Sequence, residues 1–205
     1  MDLKLAGKVV LIAGSSRGIG LATAKAFAAE GCRIMLSARS AEPLHDAEGA
    51  LRGTGATVAA HAADVADPAD AARLIDATVG AYGGIDVLVN NVGGGGGGAR
   101  IADSSDEDWR GALERNLVQT VRMMRLALPH MKGRPGAAVI NIASISGWIP
   151  QLAMSGQYGA AKAALVFRHR ALGAGVRAVR HSRQYRVPWF DSGRGQRLGP
   201  LSPHR

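Results

Sequence analysis

Tyr158 and Lys162 stand four residues apart in "QYGAAK", a spacing that puts both on one face of a helix. A free phenol titrates near pH 10, too high for efficient proton transfer at neutrality. An ammonium beside it favours the phenolate, which suits a tyrosine so placed to general acid–base work. Tyr-x-x-x-Lys alone is also what an ordinary amphipathic helix produces. A third residue sharpens the pattern: Ser144 closes the apolar run "AAVINIAS" (137–144). There its hydroxyl can hydrogen-bond a substrate carbonyl oxygen as charge develops on it. Ser146, two residues on, is a rival for that role.

A second chemical pattern lies near the N-terminus. "AGSSRGIG" carries Gly14, Gly18 and Gly20 directly after the apolar run "KVVLIA". Glycines in a strand-to-helix turn let the backbone approach a pyrophosphate, whose charge is met by the helix N-terminus. The spacing is GxxxGxG and not the commoner GxGxxG, and glycines also close such turns with no ligand. The next apolar run ends in "SARS", about 20 residues on. A carboxylate there would bind a ribose 2′-hydroxyl, whereas an arginine suits a 2′-phosphate. Ala38 stands where the acid is expected and Arg39 follows it, while Arg17 within the glycine turn is a second candidate for the phosphate. These residues favour NADP(H) over NAD(H).

The elements that must position these groups alternate regularly. Strands are expected at 8–14, 33–38, 56–64, 85–91 and 137–144, each a short apolar run of the kind buried on both faces. Helices are expected at 18–31, 41–52, 67–83 and 157–172, with Asp67 and Pro68 suited to an N-cap and first turn. A further helix starts at "SSDEDW", where Ser104 and Glu107 have the spacing of a capping box. Between them, Gly93–Gly98 is a run of six glycines that reads as a loop, either a connector or a substrate-side segment. Strands alternating with helices at this rhythm imply an α/β fold, a Rossmann-like doubly wound parallel sheet.

A chain of 205 residues with 47% hydrophobic side chains can bury a substantial core as one domain. No window reaches the roughly 18 apolar residues of a membrane span, so no membrane association is expected. Cys32 is the sole cysteine, which rules out an intrachain disulfide. With no export signal in "MDLKLAGKVVLIAG", a cytoplasmic location is expected. No motif calls for a metal. The net charge of +9 is unevenly spread: nine arginines and a single acid, Asp191, lie in 163–205. The rest of the chain is nearly balanced.

Taken in order, the motifs resemble those of the short-chain dehydrogenase/reductase family, with the flavour of 3-oxoacyl-carrier-protein reductases. They are "AGSSRGIG", "ADV" with Asp64, "NNVG" (90–93), Asn116 in "ERNL", Ser144 in "INIASISG", and "YGAAK". The resemblance covers 5–165, about four-fifths of the chain. Ala13 and Val92 stand where the family usually has Thr and Ala. The resemblance implies hydride transfer between a nicotinamide and a carbonyl or secondary alcohol of a small-molecule substrate. Tyr158 would exchange the proton, Ser144 polarise the oxygen, and Lys162 tune the tyrosine and hold the nicotinamide ribose. Asn116 would support a water-linked proton relay. For the cofactor the resemblance implies Gly14, Ser16, Arg17, Gly18, Ile19, Gly20, Arg39, Asp64, Val65, Asn91 and Gly93, together with Tyr158 and Lys162. It also implies a homo-oligomer.

The resemblance stops at "KAALV". The family continues with a sixth strand resembling "GIRVNxVxPG" and then a seventh, which complete the nicotinamide pocket and usually the oligomer interface. Residues 166–205 form instead an atypical Arg-rich tail with no convincing apolar strand, so the sheet is expected to lack its last one or two strands. Such a tail counts against assembly and points to impaired activity. A shifted reading frame accounts for it: "RHSRQYRVPW" (180–189) can be encoded so that the frame one base on reads GIRVNTVSPG. Residues 167–179 can likewise be encoded to give SVTARLAREYAPY. The alternatives are a non-catalytic nucleotide-binding protein, or a nucleic-acid binder acting through the tail. The tail carries no recognisable nucleic-acid module.

Overall fold

The computed structural model describes residues 3–95, 101–149, 156–167 and 177–179. Six parallel strands form one sheet in the order β3-β2-β1-β4-β5-β6. They are β1 (Val9–Ala13), β2 (Arg33–Ala38), β3 (Val58–Ala62), β4 (Val87–Asn90), β5 (Ala138–Asn141) and β6 (Arg177–Val179). The connecting helices are α1 (Gly18–Ala29), α2 (Ala41–Arg52), α3 (Pro68–Tyr82), α4 (Asp106–Leu113), α5 (Gln119–Met131) and α6 (Gly156–Phe167). A single π-turn, Glu114–Val118, joins α4 to α5.

Strand side chains alternate between the two faces of the sheet, and each face has its own core. Val10, Ile12, Ile34 and Leu36 pack with Ala24 of α1 and Leu44, Ala47 and Leu51 of α2. Leu11, Met35, Leu88 and Val139 pack with Leu74 and Ile75 of α3 and Met123, Ala127 and Met131 of α5. All five residues of β1 are fully buried, which is why its sequence is continuously apolar.

One polar cluster sits at the opposite end of the sheet from the glycine turn. Asp86, 4% exposed, accepts from the Val9 N–H (2.8 Å) and from Arg134 Nε and Nη2 (3.0 and 2.9 Å). Lys8 Nζ lies 3.6 Å away. Burial raises the carboxyl's pKa, but the bonds from Arg134 and Val9 and the charges of Arg134 and Lys8 outweigh it. The net result lies below the usual carboxylate range.

Two expectations change. The capping box of α4 is Ser105 with Asp108, one residue later than Ser104 with Glu107. Ser104 is otherwise engaged: its hydroxyl donates to Ile101 O (2.9 Å) and accepts from Trp109 Nε1 (3.1 Å). The second change is β6, which pairs with β5 in the register Ala138↔Arg177, Val139↔Ala178 and Ile140↔Val179. An edge strand needs mainly backbone groups to pair and carries charged residues readily, so the absence of an apolar run did not reveal it. Gly96–Gly98, the helical expectation for 168–172, and the segment 180–189 lie outside the described residues.

Candidate active site

The chain runs outward from β1 through β2 to β3 and then crosses back to β4 on the other side of β1, so a crevice opens beyond the C-terminal ends of β1 and β4. The glycine turn sits there. Gly14 and Ser15 N–H groups both donate to Ser37 O (2.8 and 2.9 Å), and Ser15 Oγ donates to Ile12 O while accepting from Ser37 N. These bonds fasten the turn to the end of β2. Asn91 Nδ2 donates to Gly14 O (2.6 Å) and fastens it to the end of β4. Gly14 has φ +80°, the left-handed region where a side chain is strained. A Cβ on Gly20 would lie 2.0 Å from Gly14 O, so only glycine lets α1 start this close beneath the turn.

The crevice holds about 640 Å³ and is lined by Gly14, Ser16, Arg17, Ile19, Arg39, Asp64, Val65, Asn91 and Gly93 among others. Gly18 and Gly20, also expected at the cofactor, shape the turn and do not line the space. Asp64 is held by its own loop: its Oδ1 accepts from Ala66 N (3.0 Å). Arg115 and Gln119, one residue before and three after Asn116, line the crevice too and were not singled out from the sequence. Their proximity to Asn116 was the available signal. The π-turn that aims them carries no compositional mark.

Asn116 is buried in that π-turn. Its Nδ2 donates to Ala112 O (3.1 Å), the carbonyl a regular helix turn would use, and to Gly94 O (3.2 Å). Its Oδ1 accepts from Gly94 N (3.0 Å). The side chain thus holds the first glycines of the glycine run. A Cβ on Gly93 would lie 2.7 Å from Asn116 Oδ1 and 3.4 Å from Lys162 Nζ, which places the lysine behind this residue of the crevice wall.

Lys162 is 4% exposed and donates to Ile142 O (2.9 Å) at the end of β5. Burial lowers its pKa to about 8, so it still carries its charge in most molecules at neutral pH. Its Nζ lies 5.8 Å from the Tyr158 ring centroid, one helical turn back on α6. Ser144 caps the short 3₁₀ turn Ile145–Gly147, and its Oγ accepts from Ser146 N (3.2 Å). That leaves the Ser144 hydroxyl proton to be donated elsewhere. The Ser146 hydroxyl is buried without a partner among the described residues, and of the two serines Ser144 is the more accessible. This turn lies directly on α6: a Cβ on Gly147 would be 2.8 Å from the Lys162 carbonyl carbon, and one on Gly159 3.1 Å from Ser146 O. Lys162, Tyr158, Ser144 and Asn116 do not line the crevice, whose wall carries Arg17, Arg39 and Arg115; Lys162 and Asn116 meet it at Gly93 and Gly94. The arrangement suits proton exchange with an oxygen whose carbon faces the crevice.

A family model for short chain dehydrogenase matches residues 8–178. The D-beta-hydroxybutyrate dehydrogenase of Cupriavidus necator is 37% identical over 162 residues, 79% of this chain and 62% of that protein. The crystal structure of L-sorbose reductase from Gluconobacter frateurii, complexed with NADPH and L-sorbose, superposes with TM-score 0.79 at 38% identity. It covers 83% of this chain and 65% of that one. A short chain dehydrogenase/reductase from Burkholderia phymatum in complex with NAD gives TM-score 0.80 at 31% identity, covering 86% of this chain and 65% of that one. The chain therefore spans a little under two-thirds of the length of these relatives. Motif order, sheet topology and these likenesses agree, and the chain belongs to the short chain dehydrogenase family.

Proposed function

We propose that the crevice binds a nicotinamide dinucleotide, NADP(H) in preference to NAD(H), and that residues 1–165 form a dinucleotide-binding catalytic unit. The reaction is hydride transfer between the nicotinamide and a small-molecule carbonyl or secondary alcohol, in a cytoplasmic setting. The observation that carries the reading is Lys162. It is a buried ammonium beside Tyr158, and it lies behind Gly93 on the wall of the crevice that the glycine turn also lines. The related structures were obtained with NADPH in one case and NAD in another. The preference therefore rests on this chain's own residues: Arg17 and Arg39 line the crevice, and Ala38 supplies no carboxylate for a 2′-hydroxyl.

A bound nicotinamide supplies or accepts the hydride. In the reducing direction the Tyr158 hydroxyl gives its proton to the substrate oxygen while Ser144 donates a hydrogen bond to that oxygen. Lys162 stabilises the phenolate left behind, and Asn116 holds the Gly93–Gly94 backbone against the site.

The family match ends at residue 178, and with the Arg-rich remainder the chain as written is expected to bind NADPH weakly with little turnover. The frame-shift reading predicts an extra or missing base in the source DNA across codons 160–190. That same stretch favours the second reading, a nucleotide-binding protein without catalysis. Titration of the purified chain with NADPH and NADH, followed by a panel of carbonyl substrates, separates these. NADPH binding stronger than NADH, with the difference abolished in Arg39→Ala, supports the cofactor assignment. Slow turnover abolished in Tyr158→Phe supports catalysis. An ordinary turnover rate would refute the impairment.

A further inference from the structure

Arg122 is used by none of the chemistry above, yet its side chain is only 13% exposed, and among the described residues it bonds two carbonyls of the crevice wall and a carboxylate one residue from that wall. Nη1 donates to Val65 O (3.0 Å) and Ala66 O (2.9 Å), and Nη2 donates to Glu114 Oε1 (2.9 Å). Val65 and Ala66 follow Asp64 in the loop after β3 and line one part of the crevice. Glu114 opens the π-turn whose next residue, Arg115, lines another part, as does Gln119. The loop also braces itself: Ala66 N donates to Asp64 Oδ1, Asp67 N to Asp64 O, and Asp64 N to Asp70 Oδ2. Those bonds fix its shape, and Arg122 alone among the described residues ties its two carbonyls to the helix carrying Asn116.

We infer that Arg122 is a positioning residue that sets the spacing between the Asp64–Ala66 loop and the Glu114–Gln119 segment, and so the width of the end of the crevice that receives the adenosine half of the cofactor. This rests on the nucleotide reading given above. A planar guanidinium is suited to it, because one fork can serve two carbonyls and a carboxylate together. A lysine ammonium has the donors but not the fixed fork.

The test uses the full chain, with adenosine 2′,5′-bisphosphate as the probe, read by calorimetry, and amide hydrogen exchange read in parallel without nucleotide. Arg122→Met, close in volume but unable to donate, should weaken the bisphosphate by about tenfold, the equivalent of roughly one net hydrogen bond. Exchange at Ala66 and Asp67 should quicken, while the amides of β1 and β4 keep their protection. Glu114→Gln should have a smaller effect of the same sign, and Arg122→Lys should fall between parent and Arg122→Met. Parent-like affinity in Arg122→Met would overturn the inference and leave the nucleotide reading intact. So would a loss of protection spread evenly over β1 and β4, since that marks general destabilisation. Absence of bisphosphate binding by the parent chain would overturn the nucleotide reading, and the inference with it.

Discussion

Replacing Asp86 should expose how much of the fold hangs on the end of the sheet away from the crevice. In Asp86→Ala the Val9 N–H loses its acceptor in a fully buried strand, a cost of about 1–3 kcal/mol. Arg134 loses both of its bonds, but its side chain is 28% exposed and recovers part of that loss from water. Removing one partner of a buried pair typically costs about 3–5 kcal/mol, and the partial exposure places this case near the lower end, about 3 kcal/mol. Asp86→Asn can still accept from Val9 and should lose only about 1–2 kcal/mol. The assay is urea unfolding of parent and both variants at pH 7, comparing midpoints at constant slope. The carboxyl is held below its ordinary value of 3.8, so its contribution is complete above that pH and disappears as pH falls through the lower folded value. The gap between parent and Asp86→Asn should therefore close below about pH 4. A gap at pH 7 under about 1 kcal/mol for Asp86→Ala, or one that persists unchanged in acid, would refute the account.

Lys162 has a linkage of the same sign at higher pH, although there burial disfavours the charged form. Its folded pKa of about 8 lies below the ordinary 10.5, so between those values the unfolded chain holds the proton that the folded chain has released. Stability then rises with pH across that window, and Lys162→Met should lack the rise, as urea midpoints at pH 7, 9 and 10 would show. Parallel profiles would count against a buried ammonium. Gly147→Ala must push the Ser144 turn off α6 by roughly 0.6 Å, from 2.8 Å to an ordinary contact. That overpacking should cost about 1–3 kcal/mol, seen as a fall of roughly 2–4 °C in Tm for each kcal/mol. An unchanged Tm would mean the turn is free to relax.

The parts of the molecule most legible in the sequence are those that burial dictates. β1, β2 and β4 lie in the middle of a sheet covered on both faces, so their residues must be continuously apolar, and "VVLIA" and "RIMLSA" declare it. Asp67 with Pro68 likewise announced α3, and Asp67 Oδ1 does accept from Asp70 N. Legibility failed where several residues could serve equally. Ser104 and Ser105 are both competent caps, and Ser104 is taken up by local bonds with Ile101 O and Trp109 Nε1 that its residue type does not announce. Arg115, Gln119 and Arg122 look like surface residues of an amphipathic helix until the π-turn rotates the first two into the crevice and the Asp64–Ala66 loop meets the third. β6 escaped notice because its pairing is made by backbone.

The π-turn has a further consequence. One residue beyond the α-helical repeat advances everything after it by about 100° around the axis. Thr120, Met123, Ala127 and Met131 after the turn are buried with that advance in place; an uninterrupted helix of the same length would set them about 100° round the axis. Glu114–Val118 therefore acts as a phase shifter between two helices that would otherwise be out of step. Deleting any one of its five residues would restore a regular helix and leave the helical content almost unchanged. Both flanks would keep their present facing, because the lost residue takes the advance with it, and the loss would fall on the turn itself, where Asn116 meets Gly94. What the extra residue supplies is local: a widened turn that aims Asn116 at Gly94.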